Sequence, residues 1–93
     1  MTLLNSNEIQ QKLSSFPGWK QEENQIAKEF QFKDFAEALS FVNKVGAESE
    51  KMDHHPDIFI HSWNKVKITS STHSEGGITK KDFQLAEKIE GLK

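Results

Sequence analysis

The sequence predicts an α+β fold with elements in the order α-β-β-α-β-β-α and one four-stranded antiparallel sheet covered by helices on one face. Segments of helical apolar period, each opened by an N-cap residue, stand at the start, middle and end of the chain. Two pairs of short strand-like segments lie between them, each pair joined by a few polar residues. Connections this short join antiparallel neighbours, so each pair is a hairpin.

Asn5 with Glu8 three residues on is an N-cap signal, and Ile9, Leu13 and Phe16 recur at helical spacing until Pro17-Gly18 ends the helix. Trp19 to Glu22 and Ile26 to Phe32 read as strands turned at Glu23-Asn24-Gln25, with Ile26, Phe30 and Phe32 on one side and Ala27, Glu29 and Gln31 on the other. Asp34 and Glu37 cap the longest helix, Phe35 to Met52. On it Phe41, Met52, Val45, Ala38, Ser49, Val42, Phe35, Gly46 and Leu39 share an uncharged arc of about 160°, wider than one packing face needs. Either the whole arc is internal, or it covers the sheet and leaves a strip for a partner subunit. A residue before proline is pushed out of the helical region, so His55 is extended and the helix ends at or before His54. Ile58 to Trp63 and Val66 to Thr72 form the second hairpin, turned at Asn64-Lys65. In its second strand Val66, Ile68, Ser70 and Thr72 alternate with Lys67, Thr69, Ser71 and His73. After a turn at Gly76-Gly77, Thr79 caps a last helix with Asp82 in its first turn, Phe83, Leu85, Ala86 and Ile89 on its buried side, and Gly91 as its stop.

At 93 residues the chain is expected to be one domain, residues 1–93, with a small core. Apolar residues make up only 34%, which makes association a reasonable expectation. Cysteine is absent, excluding disulfides, thiolate zinc sites and a cysteine nucleophile. A net charge of -2 lacks the basic footprint of a nucleic-acid binder, and no apolar run is long enough for a membrane span. A cytoplasmic protein without nucleic-acid or membrane partners is the expectation.

The chemistry-bearing residues concentrate in Glu50-Lys51-Met52-Asp53-His54-His55-Pro56, answered by Thr72-His73 and Gly76-Gly77-Ile78-Thr79-Lys80-Lys81-Asp82. Unperturbed imidazoles titrate near pH 6.5, so one histidine can donate a proton while another accepts one at neutral pH. Such a pair suits a dehydration, which delivers a proton to a departing hydroxyl and takes one from the adjoining atom. No two of these histidines have the i, i+4 or other familiar zinc spacing, so no metal is expected. Gly76-Gly77 lacks the full glycine pattern of a nucleotide loop and reads as a plain turn. Trp19 and Trp63 suit either stacking on a flat heterocycle or half-buried strand positions. His61 has no partner legible in the sequence and reads as structural.

Taken with Trp63-Asn64-Lys65-Val66, Ser71-Thr72-His73, Gly18-Trp19 and Phe30-Gln31-Phe32-Lys33-Asp34-Phe35, these motifs resemble the pterin-4a-carbinolamine dehydratase family over most of the chain. The resemblance implies a lyase that removes water from a 4a-hydroxytetrahydropterin, giving quinonoid dihydropterin in tetrahydrobiopterin recycling, with no cofactor or metal. It implies His54, His55 and His73 as catalytic residues, one of His54 and His73 protonating the hydroxyl and the other accepting the N5 proton. It implies Asp53, Pro56, Ser71, Thr72 and Ser74 as pterin contacts, with Glu50, Trp19 and Asp82 near the site. A homo-oligomer, dimer or tetramer, and a functional link to an aromatic amino acid hydroxylase are also implied. The alternative role is a protein-binding dimerisation cofactor or transcriptional coactivator, as in the family's animal members. Two departures stand out: one residue more between Pro56 and Asn64 than many members have, and Trp63 where tyrosine is usual. An added residue reverses the facing of every later strand position unless a bulge absorbs it, which leaves His61 free to face either way.

Overall fold

A computed structural model describes residues 2–93. Its elements are α1 (Ser6–Leu13), β1 (Lys20–Glu22), β2 (Gln25–Gln31), α2 (Phe35–Met52), β3 (Asp57–His61), β4 (Lys65–Ser70) and α3 (Lys80–Glu90), with one 3₁₀ turn, His73–Glu75, before α3. The strands form one antiparallel sheet in the order β1-β2-β4-β3, and the predicted element order and fold class hold.

Local chemistry explains most boundaries. Asn5 accepts from Glu8 N while the Glu8 carboxylate takes Asn5 N, both at 2.9 Å, a reciprocal cap that starts α1. The helix stops at Leu13, three residues short of the Phe16 expected from the sequence, because Ser14, Ser15 and Phe16 turn back on Gln10, Lys12 and Leu13 carbonyls. Asp34 caps α2 by accepting from Glu37 N at 2.8 Å, whereas the Glu37 carboxylate reaches back to Lys33 N at 3.0 Å. Thr79 and Asp82 make a second reciprocal cap on α3.

The sheet face under the helices carries Ile26 and Phe30 of β2, Val66 and Ile68 of β4, and Ile58 and Ile60 of β3. Ala38, Phe41, Val45 and Ser49 of α2 pack down on it, as do Phe83, Leu85, Ala86 and Ile89 of α3. Phe41 meets Phe30 and Phe32 at ring separations of 4.9 and 4.8 Å. The uncharged arc of α2 is therefore only partly internal: Phe35 stays 48% and Leu39 39% exposed. On the open face, charged residues alternate with the core positions, including the Lys67–Glu22 pair at 3.0 Å.

The second hairpin corrects the sequence reading. Its turn is Ser62-Trp63-Asn64, not Asn64-Lys65, because His61 pairs with Lys65. Trp63, expected in a strand, sits at the apex and is 60% exposed. Ser62 and Trp63 both adopt left-handed backbone, with φ of 49° and 55°, and the β3–β4 ladder runs unbroken from Asp57–Thr69 to His61–Lys65. Asn64 anchors the turn by exchanging bonds with Phe32: its amide side chain donates to Phe32 O at 2.8 Å and its carbonyl accepts from Phe32 N at 2.9 Å. With the register set, Ile58 opposes Ile68, Ile60 opposes Val66, and His61 faces the open side, where it pairs with Glu29 and stacks on Phe59.

Candidate active site

Two segments distant in sequence build the site: the exit of α2 and the link from β4 to α3. At the first, Asp53 takes a left-handed conformation (φ 51°, ψ 43°) that ends α2, and Asp53 N and His54 N turn back on the last helical carbonyls. Pro56 then holds the chain extended into β3. At the second, Thr72 and Gly77 bridge, with Thr72 N donating to Gly77 O at 2.7 Å. Between them the chain winds one 3₁₀ turn, closed by Gly76 at φ 75°, a left-handed position that favours glycine. This knuckle lifts His73 and Ser74 into solvent.

Asp53, His54, His55, Ser71, Thr72, His73, Ser74 and Lys81 line one cleft of about 330 Å³. That is at the low end of the about 300–1,000 Å³ typical of small-molecule sites. Its walls are almost entirely polar, suited to a heterocycle rich in hydrogen-bonding edges. His54, His55 and His73 thus meet at one cavity, although His73 follows His54 by about twenty residues of β-hairpin.

Beneath the cleft lies a buried polar cluster centred on Asp82, which is completely inaccessible. Its carboxylate is within hydrogen-bond distance of Ser70 Oγ at 2.6 Å, His54 Nε2 at 2.7 Å, Thr79 N at 2.9 Å and Thr72 Oγ1 at 3.0 Å. Thr72 Oγ1 also meets Thr79 Oγ1 at 2.7 Å. Among the described residues no buried side-chain nitrogen or oxygen lacks a partner, so the cluster is complete without further groups.

The remaining residues singled out from the sequence divide into rim, floor and remote positions. Glu50 is exposed and hydrogen-bonds His55 Nε2 at the rim, while half-buried Pro56 shapes the chain without lining the cleft. Asp82 reaches the cavity only through His54 and Thr72, which line it, and through Ser70 beneath. Trp19 is not brought to the cleft. It is buried against Phe30, and its indole N–H donates to Glu90 Oε2 at 2.9 Å. Lys28 Nζ meets the same oxygen at 2.8 Å and Pro17 O at 3.0 Å. Gly18 is required beside this lock: its φ is 88°, and an added Cβ would lie 2.9 Å from Lys28 Cε. Burial pushes the Glu90 carboxyl up, but hydrogen bonds from Lys28, Lys93 and Trp19 outweigh it and hold Glu90 below its usual range. Lys81 lines the cleft but was not singled out from the sequence. Its position in the first turn of α3, one residue before Asp82, was the available signal.

Among the described residues no three His, Asp or Glu side chains converge as metal ligands would. No described helix is long and apolar enough to cross a membrane.

The sequence model of the family described as "Pterin 4 alpha carbinolamine dehydratase" matches residues 2–92. A protein of Picosynechococcus sp. is 50% identical over 98% of this chain and 98% of its own length. One of Sulfolobus acidocaldarius is 48% identical over 92% of this chain and 93% of its own. Both carry the name "Putative pterin-4-alpha-carbinolamine dehydratase". Among solved structures, a "transcriptional coactivator/pterin dehydratase" from Brucella melitensis superposes with a TM-score of 0.93 at 34% identity, covering 98% of each chain. A pterin dehydratase-like RuBisCO assembly factor of the alpha-carboxysome shares the fold, with a TM-score of 0.68 at 23% identity over 81% of this chain and 88% of that one.

Proposed function

Because this chain belongs to the pterin 4 alpha carbinolamine dehydratase family, we propose that it is a hydro-lyase converting a 4a-hydroxytetrahydropterin to quinonoid dihydropterin and water. The observation that carries the reading is the meeting of His54, His55 and His73 at one cleft. Elimination across C4a and N5 needs a proton delivered to the hydroxyl oxygen and another removed from N5, and it changes no oxidation state. Paired imidazoles supply both transfers, so no cofactor or metal enters the reaction. One of His54 and His73 donates and the other accepts, while His55, tied to Glu50, positions the ring from the rim. Asp53, Ser71, Thr72 and Ser74 offer hydrogen-bonding groups to the polar edges of the bicycle. A tetrahydropterin-dependent aromatic hydroxylase is the class of reaction that supplies this substrate, and the cytoplasm the compartment in which they meet.

The exposed strip of Phe35 and Leu39 on α2 supports self-association of this single domain as a dimer or tetramer. A protein-binding module would need that strip but not the histidines. A stopped-flow assay with enzymatically generated 4a-carbinolamine tests the reading: the protein accelerates dehydration, and alanine at His54 or His73 removes most of the increment. Alanine variants that keep most of it would overturn the assignment. A triple histidine variant that loses turnover but keeps its light-scattering mass separates catalysis from association.

A further inference from the structure

We infer that Asp82 is a positioning residue that holds His54 in its Nε2–H tautomer, which makes Nδ1 of His54 the proton acceptor of the cleft and His73 the donor. This deepens the dehydratase reading and rests on it.

The directions of the hydrogen bonds in the buried cluster fix the tautomer. Thr79 N is an obligate donor and points at Asp82 Oδ2 from 2.9 Å. Thr79 Oγ1 accepts from Lys81 N at 3.2 Å, so its own proton goes to Thr72 Oγ1 at 2.7 Å, and the Thr72 proton goes on to Asp82 Oδ2 at 3.0 Å. Ser70 Oγ donates to Oδ1 at 2.6 Å. Every bond in the chain runs toward the carboxylate, whose two oxygens accept from Ser70, Thr72 and Thr79 N. The nitrogen of His54 that faces Oδ1 at 2.7 Å, with Ser70 Oγ at 3.5 Å beside it, therefore carries a hydrogen.

In a neutral imidazole the other nitrogen is then the lone-pair acceptor. Nδ1 of His54 has no partner among the described residues, and no buried side-chain nitrogen or oxygen among them is left unpaired. Nδ1 is accordingly open to the cleft that His54 lines. Asp82 itself is fully buried and cannot touch a substrate. When Nδ1 takes the N5 proton, the imidazolium forms against the Asp82 carboxylate in a site shielded from water, where the attraction is strongest. The His73 imidazole is exposed at the cleft and has no side-chain partner among the described residues, so solvent reaches it directly. In the step, a proton from His73 joins the C4a hydroxyl and the C4a–O bond breaks with loss of water. The N5 proton passes to His54 Nδ1, and the electron pair it leaves forms the C4a=N5 bond. Solvent then resets both histidines.

The test uses the whole chain with ¹⁵N-labelled imidazoles, read by long-range ¹H–¹⁵N correlation, together with stopped-flow turnover. The wild type is expected to show His54 protonated at Nε2 and bare at Nδ1, and titration with 7,8-dihydropterin to move Nδ1 and not Nε2. In Asp82→Asn, the Thr79 N–H keeps the amide oxygen at the Oδ2 position and turns the NH₂ toward His54, so the tautomer inverts. Turnover then falls by about 10²- to 10⁴-fold, in kcat and kcat/KM together. A wild-type spectrum with the hydrogen on Nδ1, a dihydropterin shift confined to Nε2, or an inverted variant with wild-type kcat would overturn the inference. Should Asp82→Asn fail to fold, the wild-type spectrum and its dihydropterin titration still decide. A wild type that shows the expected tautomer but no dehydration overturns the dehydratase reading and the base role with it, whereas turnover with the opposite tautomer sinks this inference alone.

Discussion

Thr79 joins the cap of α3 to the floor of the cleft, and its replacement separates the stability of that junction into parts. Its side chain is completely buried, accepts from Lys81 N at 3.2 Å and bonds Thr72 Oγ1 at 2.7 Å. Thr79→Ala removes an N-cap, worth about 1 kcal/mol, and one buried hydrogen bond, worth a further ~1 kcal/mol. Thr79→Ser keeps both bonds and loses one buried methyl, about 0.8 kcal/mol. Urea denaturation at one fixed protein concentration, since association shifts apparent stability, is expected to cost the alanine variant about 2–3 kcal/mol and the serine variant about 1 kcal/mol. The slope with urea stays the same in both, because neither changes the surface exposed on unfolding. Thr72 and Thr79 N still satisfy Asp82 in the alanine variant, so turnover falls far less than in Asp82→Asn. If alanine and serine destabilise equally, the hydroxyl contributes nothing and the directed chain of hydrogen bonds ending on Asp82 is wrong.

Asp53→Gly is expected to hold or raise stability by up to about 1 kcal/mol, because glycine relieves the left-handed end of α2. The same variant weakens substrate binding, and a melting curve that rises while KM stays at the wild-type value would remove Asp53 from the substrate's contacts. Ile68→Ala, at a fully buried position in the central strand β4, should cost about 2–5 kcal/mol in chemical denaturation without changing which residues line the cleft. Glu90 has its folded carboxyl held below the ordinary 4.5, so its contribution is present above that pH and is lost as pH falls through the lower folded value. Glu90→Gln should therefore cost about 1–3 kcal/mol at neutral pH by leaving the nearly buried Lys28 without its counter-charge, and should flatten the acid limb of stability below pH 4.5; parallel acid limbs for the two proteins would refute this.

What could be read from the sequence was what neighbouring residues decide between themselves. Asp34 as cap and the proline after His55 bracket α2 at its observed bounds, Asn5 with Glu8 and Thr79 with Asp82 open the other helices, and the alternation of Val66, Ile68 and Ser70 assigns the buried face of β4. These are effects of one helical turn or one strand pleat, and they need no partner from elsewhere in the chain. The outcome differed where distant contacts compete. Two non-glycine residues in left-handed backbone at Ser62-Trp63 have no local signature, and only the Asn64–Phe32 bonds and the pairing of Ile58 with Ile68 favour that turn over a strand. The family resemblance implied Trp19 near the cleft, yet its indole is drawn to Glu90 at the far end of the chain. Asp82 could be read as an acid in the first turn of a helix. Its hold on His54, 28 residues earlier, exists only because β4 carries Ser70 and α2 delivers His54 to the same buried point. A carboxylate there needs several donors at once to offset its desolvation, and only the folded chain brings them together.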